Sequence, residues 1–120
     1  LRKTSALAVL AIVALIAMPI GCATSNGYAA ASQKYDANSI AYDAAFKTLQ
    51  SSHDAGRLPA PTWSQFLTLS AAERVADAAA HADLIAWKAS GKEPTFYWEH
   101  AQSLLDAQNA VIALAAGAPR

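Results

Sequence analysis

The feature that most constrains this chain is a seven-residue recurrence of large side chains, Tyr28, Tyr35, Tyr42 and Leu49. Seven residues return to nearly the same face of an α-helix after two turns, so a chain that holds this spacing is a helix packed along a seam. Ala31, Ala45 and Phe46 fill neighbouring positions of the stripe, Asn38 and Ser39 interrupt it, and Lys34, Asp36, Asp43 and Lys47 mark the opposite, polar face. The first helix is therefore expected over about 27–53. Asp54-Ala55-Gly56-Arg57 ends it, with Gly56 suited to a left-handed cap and Pro59 and Pro61 preventing continuation.

Two more helices follow from the same signals. Thr62-Trp63-Ser64-Gln65 has the form of a capping box, and Ser70-Ala71-Ala72-Glu73 repeats that form, so the second helix is expected to start near 62 and to kink or restart near 70. Its apolar seam is expected along Ala71, Val75, Ala78, Ala82, Ile85 and Ala89, with Trp63 and Trp87 turned partly outward, and Ser90-Gly91 ends it. Pro94 suits the first position of a third helix over about 96–116, with Trp98, Ala101, Leu105, Val111 or Ile112, and Ala115 on one side and Gly117 and Pro119 as stops. Short loops force antiparallel neighbours, so the expected fold is all-α: a small antiparallel up-down-up three-helix bundle. Tyr35, Tyr42, Leu49, Val75, Ile85 and Leu105 are the expected core.

Composition enters next. Of the 120 residues 54% are hydrophobic, but alanine supplies much of that fraction, which favours helix and leaves a thin core. The formal charge is zero, and removal of residues 1–21, which carry Arg2 and Lys3, leaves seven basic against nine acidic residues. That balance excludes the concentrated basic face that nucleic-acid binding requires. A single cysteine, Cys22, excludes an internal disulfide and any multi-cysteine zinc site.

The position of that cysteine is informative. Arg2 and Lys3 precede an uncharged apolar run over residues 6–20, which is shorter than the roughly 20 residues of a spanning helix and fits the apolar region of a signal peptide. Pro19 breaks the run just before Gly21-Cys22, and Ala23-Thr24-Ser25-Asn26-Gly27 is small and polar, as a tether would be. Residues 1–22 resemble a bacterial lipoprotein signal peptide, with Pro19-Ile20-Gly21-Cys22 resembling its lipobox; Pro19 and Ile20 stand where the family usually has a leucine and a small residue. The resemblance implies a diacylglyceryl group on the Cys22 thiol, cleavage between Gly21 and Cys22, and acylation of the new amine by a palmitate-type chain. It also implies a lipid anchor in the cell envelope: the periplasmic face of the outer membrane in a diderm host, or the outer face of the cell membrane in a monoderm one. Ordinary secretory cleavage after Ala23 and a retained membrane anchor are the competing readings. The expected organisation is a lipoprotein signal peptide over 1–21, a flexible tether over 22–27 and a helical bundle over 28–116.

Residues that could carry chemistry are few. His81 and His100 fall at similar heights in an antiparallel hairpin, Asp77 lies one turn before His81 on the same face, and Asp36 on the first helix reaches the same level, so a two-histidine, one-carboxylate metal or ligand site is geometrically conceivable there. No HExxH motif supports it, and Glu99 and His100 are adjacent and so diverge. No GxSxG turn or glycine-rich phosphate loop is present, so no enzymatic activity, cofactor or bound metal is expected. Phe96, Tyr97 and Trp98 are consecutive and must point in three directions, so at least one ring is expected at a rim, where it is the candidate contact for a partner. The function expected is that of a non-enzymatic, lipid-anchored envelope protein, an interaction or structural module that binds an envelope protein or itself. The alternatives are a small ligand- or metal-binding envelope lipoprotein and a phage-encoded lysis or exclusion lipoprotein.

Overall fold

The computed structural model describes residues 27–119. They form an all-α bundle of three helices: α1 over Gly27–Asp54, α2 over Ala60–Ser90 and α3 over Tyr97–Ala116. No strand occurs among the described residues. At 31 residues α2 spans about 46 Å at 1.5 Å per residue, which accounts for the 48 Å long axis of the molecule.

The helix ends follow from local backbone chemistry. Gly56 takes φ +72° and donates its N–H to the His53 carbonyl, while Arg57 N–H reaches the Ser52 carbonyl, each at 2.9 Å. This is the paired-bond stop that a glycine past a helix end permits, because an L-residue would strain at that φ. Gly91 ends α2 with a single bond instead, at φ +71° with its N–H on the Trp87 carbonyl at 2.8 Å. The start of α2 differs from the capping box expected at Thr62 and Gln65. Pro59 occupies the cap position, no side chain caps the helix, and its carbonyl accepts the Trp63 N–H at 3.0 Å. Pro61 lies in the first turn, where a missing N–H costs nothing, so the helix begins before Thr62. Nor does α2 restart at Ser70: its hydroxyl donates back to the Leu67 carbonyl at 3.2 Å and the helix runs through. Similarly, Pro94 lies in the preceding turn, where its carbonyl accepts the Tyr97 N–H at 3.2 Å, and α3 begins at Tyr97.

The core has two apolar clusters. One joins Ala45, Leu49, Phe66, Val111 and Ala115, at the end where α1 finishes and α2 begins. The other joins Ala31, Leu84, Trp87 and Tyr97, at the end where α1 begins, α2 finishes and α3 begins. Glu73 and Gln108, both buried, meet across the bundle between α2 and α3. At the first end the Ser52 hydroxyl donates to the Pro119 carbonyl at 2.9 Å and fastens the chain beyond α3 to α1.

Two expected core residues are not in the core. Val75 is 75% exposed and Ile85 58% exposed, because α2 is rotated relative to the expected seam. Its inward side carries Phe66, Ser70, Glu73, Ala80, Leu84 and Trp87, the same alternation of three and four along a neighbouring stripe. Phe66, Leu84 and Trp87 offer more area to bury than Val75 and Ile85, and that area decides the rotation. Trp87, expected partly outward, is therefore inside. On α3 the inward positions are Tyr97, Leu104, Gln108, Val111 and Ala115, so the expected Trp98 and Leu105 are each displaced by one residue. Leu49 is fully buried, whereas Tyr35, Tyr42 and Leu105 are half-buried.

Candidate functional site

Gly21 and Cys22, the expected cleavage and lipidation positions, lie outside the described residues. Among the described residues no helix is long and apolar enough to cross a membrane.

The Phe96-Tyr97-Trp98 run begins α3 and divides by direction. Tyr97 enters the core, its ring edge-on to Trp87 at 5.2 Å, and burial raises the pKa of its phenol. Phe96 and Trp98 remain 57% and 54% exposed on either side of it. Trp98 is held in place: its ring stands edge-on to Tyr97 at 4.9 Å and its indole N–H donates to Glu93 Oε1 at 2.9 Å. This rim lies at the end of the bundle where α1 starts, since a Cβ on Gly27 would meet Trp87 Cζ2 at 3.1 Å and Trp87 packs on Tyr97.

The histidines find separate partners. His81 stacks on Tyr35 of α1, with rings 10° from parallel and centroids 5.9 Å apart. His100 Nδ1 lies 2.6 Å from Asp83 Oδ2, which ties α3 to α2. His53, at the far end, stacks on Trp63 at 3.6 Å. Asp77 accepts the Tyr35 hydroxyl at 2.6 Å. Tyr35 thus touches both His81 and Asp77, while His100 is bound elsewhere by Asp83. Among the described residues no group of three or more histidine, cysteine, aspartate or glutamate side chains is placed to hold a metal ion.

A different arrangement does converge. Helices α2 and α3 pack most extensively, α1 and α3 less so, and α1 and α2 least, which leaves a cleft between α1 and α2. Its half towards the start of α1 is an open groove of about 610 Å³ between Tyr28, Tyr35, His81 and Lys88, among others. The other half is a shallower, more open groove of about 620 Å³ lined by Asp36, Asp43, Glu73 and Asp77, with Tyr35, Tyr42 and Gln108. Tyr35 and Asp36 border both halves of the cleft, and the Tyr35 side chain, bonded to Asp77 across the gap, stands between them. The tyrosines recurring every seven residues are its wall, which is why they are half-buried.

The acidic half is rich in acceptors. Gln108 is 1% exposed; its amide N–H donates to Glu73 Oε1 at 3.3 Å, but its own Oε1 accepts no hydrogen bond. Burial raises the pKa of the Glu73 carboxyl, and the Asp77 charge nearby raises it further. Tyr42 is pushed up to about 12 by burial and by the Glu73 carboxylate, and Tyr35 is raised for the same reasons by burial and Asp77. Both phenols are therefore protonated donors at neutral pH, unsuited to act as bases. The only sequence signal for this cleft was the run Phe66, Ser70, Glu73, Asp77, Ala80, Leu84, whose helical spacing is good but whose polar members disqualify it as an apolar seam.

No protein-family model, curated protein or solved structure matches the chain.

Proposed function

We propose that this protein is a non-enzymatic, lipid-anchored module of the bacterial cell envelope whose contact surface is the aromatic rim of Phe96 and Trp98. One observation carries the reading: the rim lies at the end of the bundle where α1 begins, the end to which the segment after Cys22 is joined. Five peptide units separate Cys22 from Gly27 and reach at most about 18 Å when fully extended. A lipid on Cys22 thereby holds the rim close to the bilayer surface. Indole and phenyl rings gain most at such a boundary, where one side is apolar and the other wet, and they anchor protein contacts well for the same reason. An envelope protein held at the membrane, or a second copy anchored beside the first, meets this rim before any other face.

Two measurements test the proposal. Intact mass of the protein taken from its host membrane should show loss of residues 1–21 and addition of acyl mass at Cys22. A soluble species with a free thiol, or one starting at Thr24, refutes the anchor. Phe96→Ala with Trp98→Ala should leave the fold intact, since exposed substitutions usually shift stability by under about 0.5 kcal/mol each. The pair should abolish crosslinking to an envelope partner or self-association in sedimentation, and unchanged association refutes the rim.

A further inference from the structure

We infer that the outward face of α2 is an interface for a second copy of this chain, the two α2 helices lying side by side and parallel. Ala71, Val75, Ala78, Ala82, Ile85 and Ala89 alternate steps of four and three along α2, and all six are exposed. The side of a bundle helix that faces away from its core ordinarily carries charge. The other two helices follow that rule, with Asp36, Asp43 and Lys47 exposed on α1 and Glu99 and Asp106 on α3. On α2 the exposed titratable side chains are Arg74, His81 and Lys88, and seven-residue spacing confines them to one flank, beside α1. A helix that is apolar on the side away from its core as well is one that is covered there too. The stripe that reads as a packing seam in the sequence is thus a seam without a partner inside the bundle. Val75 and Ile85 give it bulk to bury, and the alanines between them let a second helix approach closely.

Charge selects both the occupant and its direction. The flank opposite Arg74, His81 and Lys88 carries Ala72, Ala79 and Ala86, then Asp83, which meets His100 of α3. Beyond it α3 holds Glu99 and Asp106 and no lysine or arginine. A second copy therefore supplies both a matching apolar stripe and a flank suited to the basic row. A two-fold axis along the helices sets the basic flank of each copy against the alanine and Asp83 flank of the other, where the Arg74 and Lys88 stems can lie over alanine. A two-fold axis across the helices gives an antiparallel pair and sets basic row beside basic row, which like charges oppose. In the parallel pair Val75 meets Val75 and Ile85 meets Ile85, with alanine on alanine between. From Ala71 to Ala89 the seam is about 27 Å long and about 11 Å wide, a footprint of about 300 Å² per copy. That is below the roughly 800 Å² per partner of a stable complex, so the pair is reversible, monomeric at micromolar concentration and formed where copies are concentrated. The seam lies on a different helix from the aromatic rim, and pairing through it needs no lipid anchor.

The test is disulfide crosslinking of the full chain in the membranes of its host with copper phenanthroline as oxidant. One cysteine is introduced at a time, and the parent, which holds Cys22 alone, sets the background. Ala71→Cys and Ala89→Cys should each give a linked homodimer, because parallel pairing sets each position against itself. Gln33→Cys, exposed on α1, should give no more than background. Adding Ala78→Glu to Ala71→Cys should cut the yield about tenfold or more, since two carboxylates then face each other across an apolar seam. Its thermal melt should match the parent's, because Ala78 is exposed in the monomer. Val75→Glu should act likewise, so a folding defect in one variant leaves the other as the test. Phe96→Ala with Trp98→Ala should leave the yield unchanged, and loss of the dimer there would move the interface to the rim and overturn this one. Linkage confined to cells carrying both Ala71→Cys and Ala89→Cys chains would mean antiparallel pairing, in which position 71 lies about 27 Å from its own counterpart, and would overturn the parallel pair. Equal yield from Gln33→Cys would mean random collision. An adduct with a different protein in place of the homodimer would overturn the second copy as occupant.

Discussion

Replacing Leu49 with alanine, beside Ile85 with alanine, measures which stripe of each helix holds the bundle together. Leu49 is fully buried and packs with Ala45, Phe66, Val111 and Ala115, so all three helices meet around it. Three carbons are lost, which at about 0.8 kcal/mol per buried methylene is roughly 2.4 kcal/mol of transfer energy. The space left among residues from three helices cannot close fully, and the cavity raises the expected cost to about 2–5 kcal/mol. A domain of this size has a total stability of roughly 5–14 kcal/mol, so the substitution removes a large share. Ile85 is 58% exposed, so less than half of its surface contributes. Alanine is also the better helix former, which offsets part of that loss, and the net change should fall within about 0.5 kcal/mol. Urea unfolding followed by circular dichroism gives both values. In a thermal melt Leu49→Ala should lower the midpoint by about 10 °C or more, given about 4–8 °C per kcal/mol. A loss below about 1 kcal/mol at Leu49, or losses at the two sites within a factor of two, would refute the helix rotations described above.

The buried Glu73 should leave a signature in the pH dependence of stability. Its folded-state pKa is raised by burial, so the fold favours the protonated carboxyl; that contribution is complete below the unfolded pKa and is lost as pH rises through the folded one. Glu73→Gln removes the titration and can donate an amide N–H to Gln108 Oε1, so at neutral pH it should stabilise by about 1 kcal/mol. The advantage of the variant over the parent should grow as pH rises above the ordinary carboxylate value of 4.5 in urea unfolding, and a constant difference would contradict the burial of a carboxylate there. Gly91→Ala should cost about 1 kcal/mol from backbone strain at φ +71°, because no atom lies within 4 Å of the added Cβ. Gly117→Ala, at φ −91° and with only an ordinary contact to the Leu114 carbonyl, is the matched control and should be neutral in the same unfolding assay.

What was legible in the chain alone is what local chemistry decides. Gly56 and Gly91 mark helix ends because only glycine takes positive φ without strain, and the neighbouring prolines keep α1 and α2 separate, so three helices and their antiparallel order follow from short-range rules. The divergence of Phe96, Tyr97 and Trp98 is equally local, since adjacent helical residues cannot share a face. The rotation of each helix about its own axis is another matter. Hydropathy favoured Val75 and Ile85 on α2, but the faces of α1 and α3 reward burial of Phe66, Leu84 and Trp87, and turning those inward carries Glu73 inside with them. A carboxylate tolerates that position only because Gln108 arrives from α3 to donate to it and Tyr42 from α1 lies beside it. Those partners are 35 and 31 positions away in the sequence, beyond any periodicity along one helix. The acidic cleft exists for the same reason: α1 and α2 both pack chiefly on α3, so the tyrosines that read as a core stripe become the wall of an open groove, and only the assembled bundle decides that.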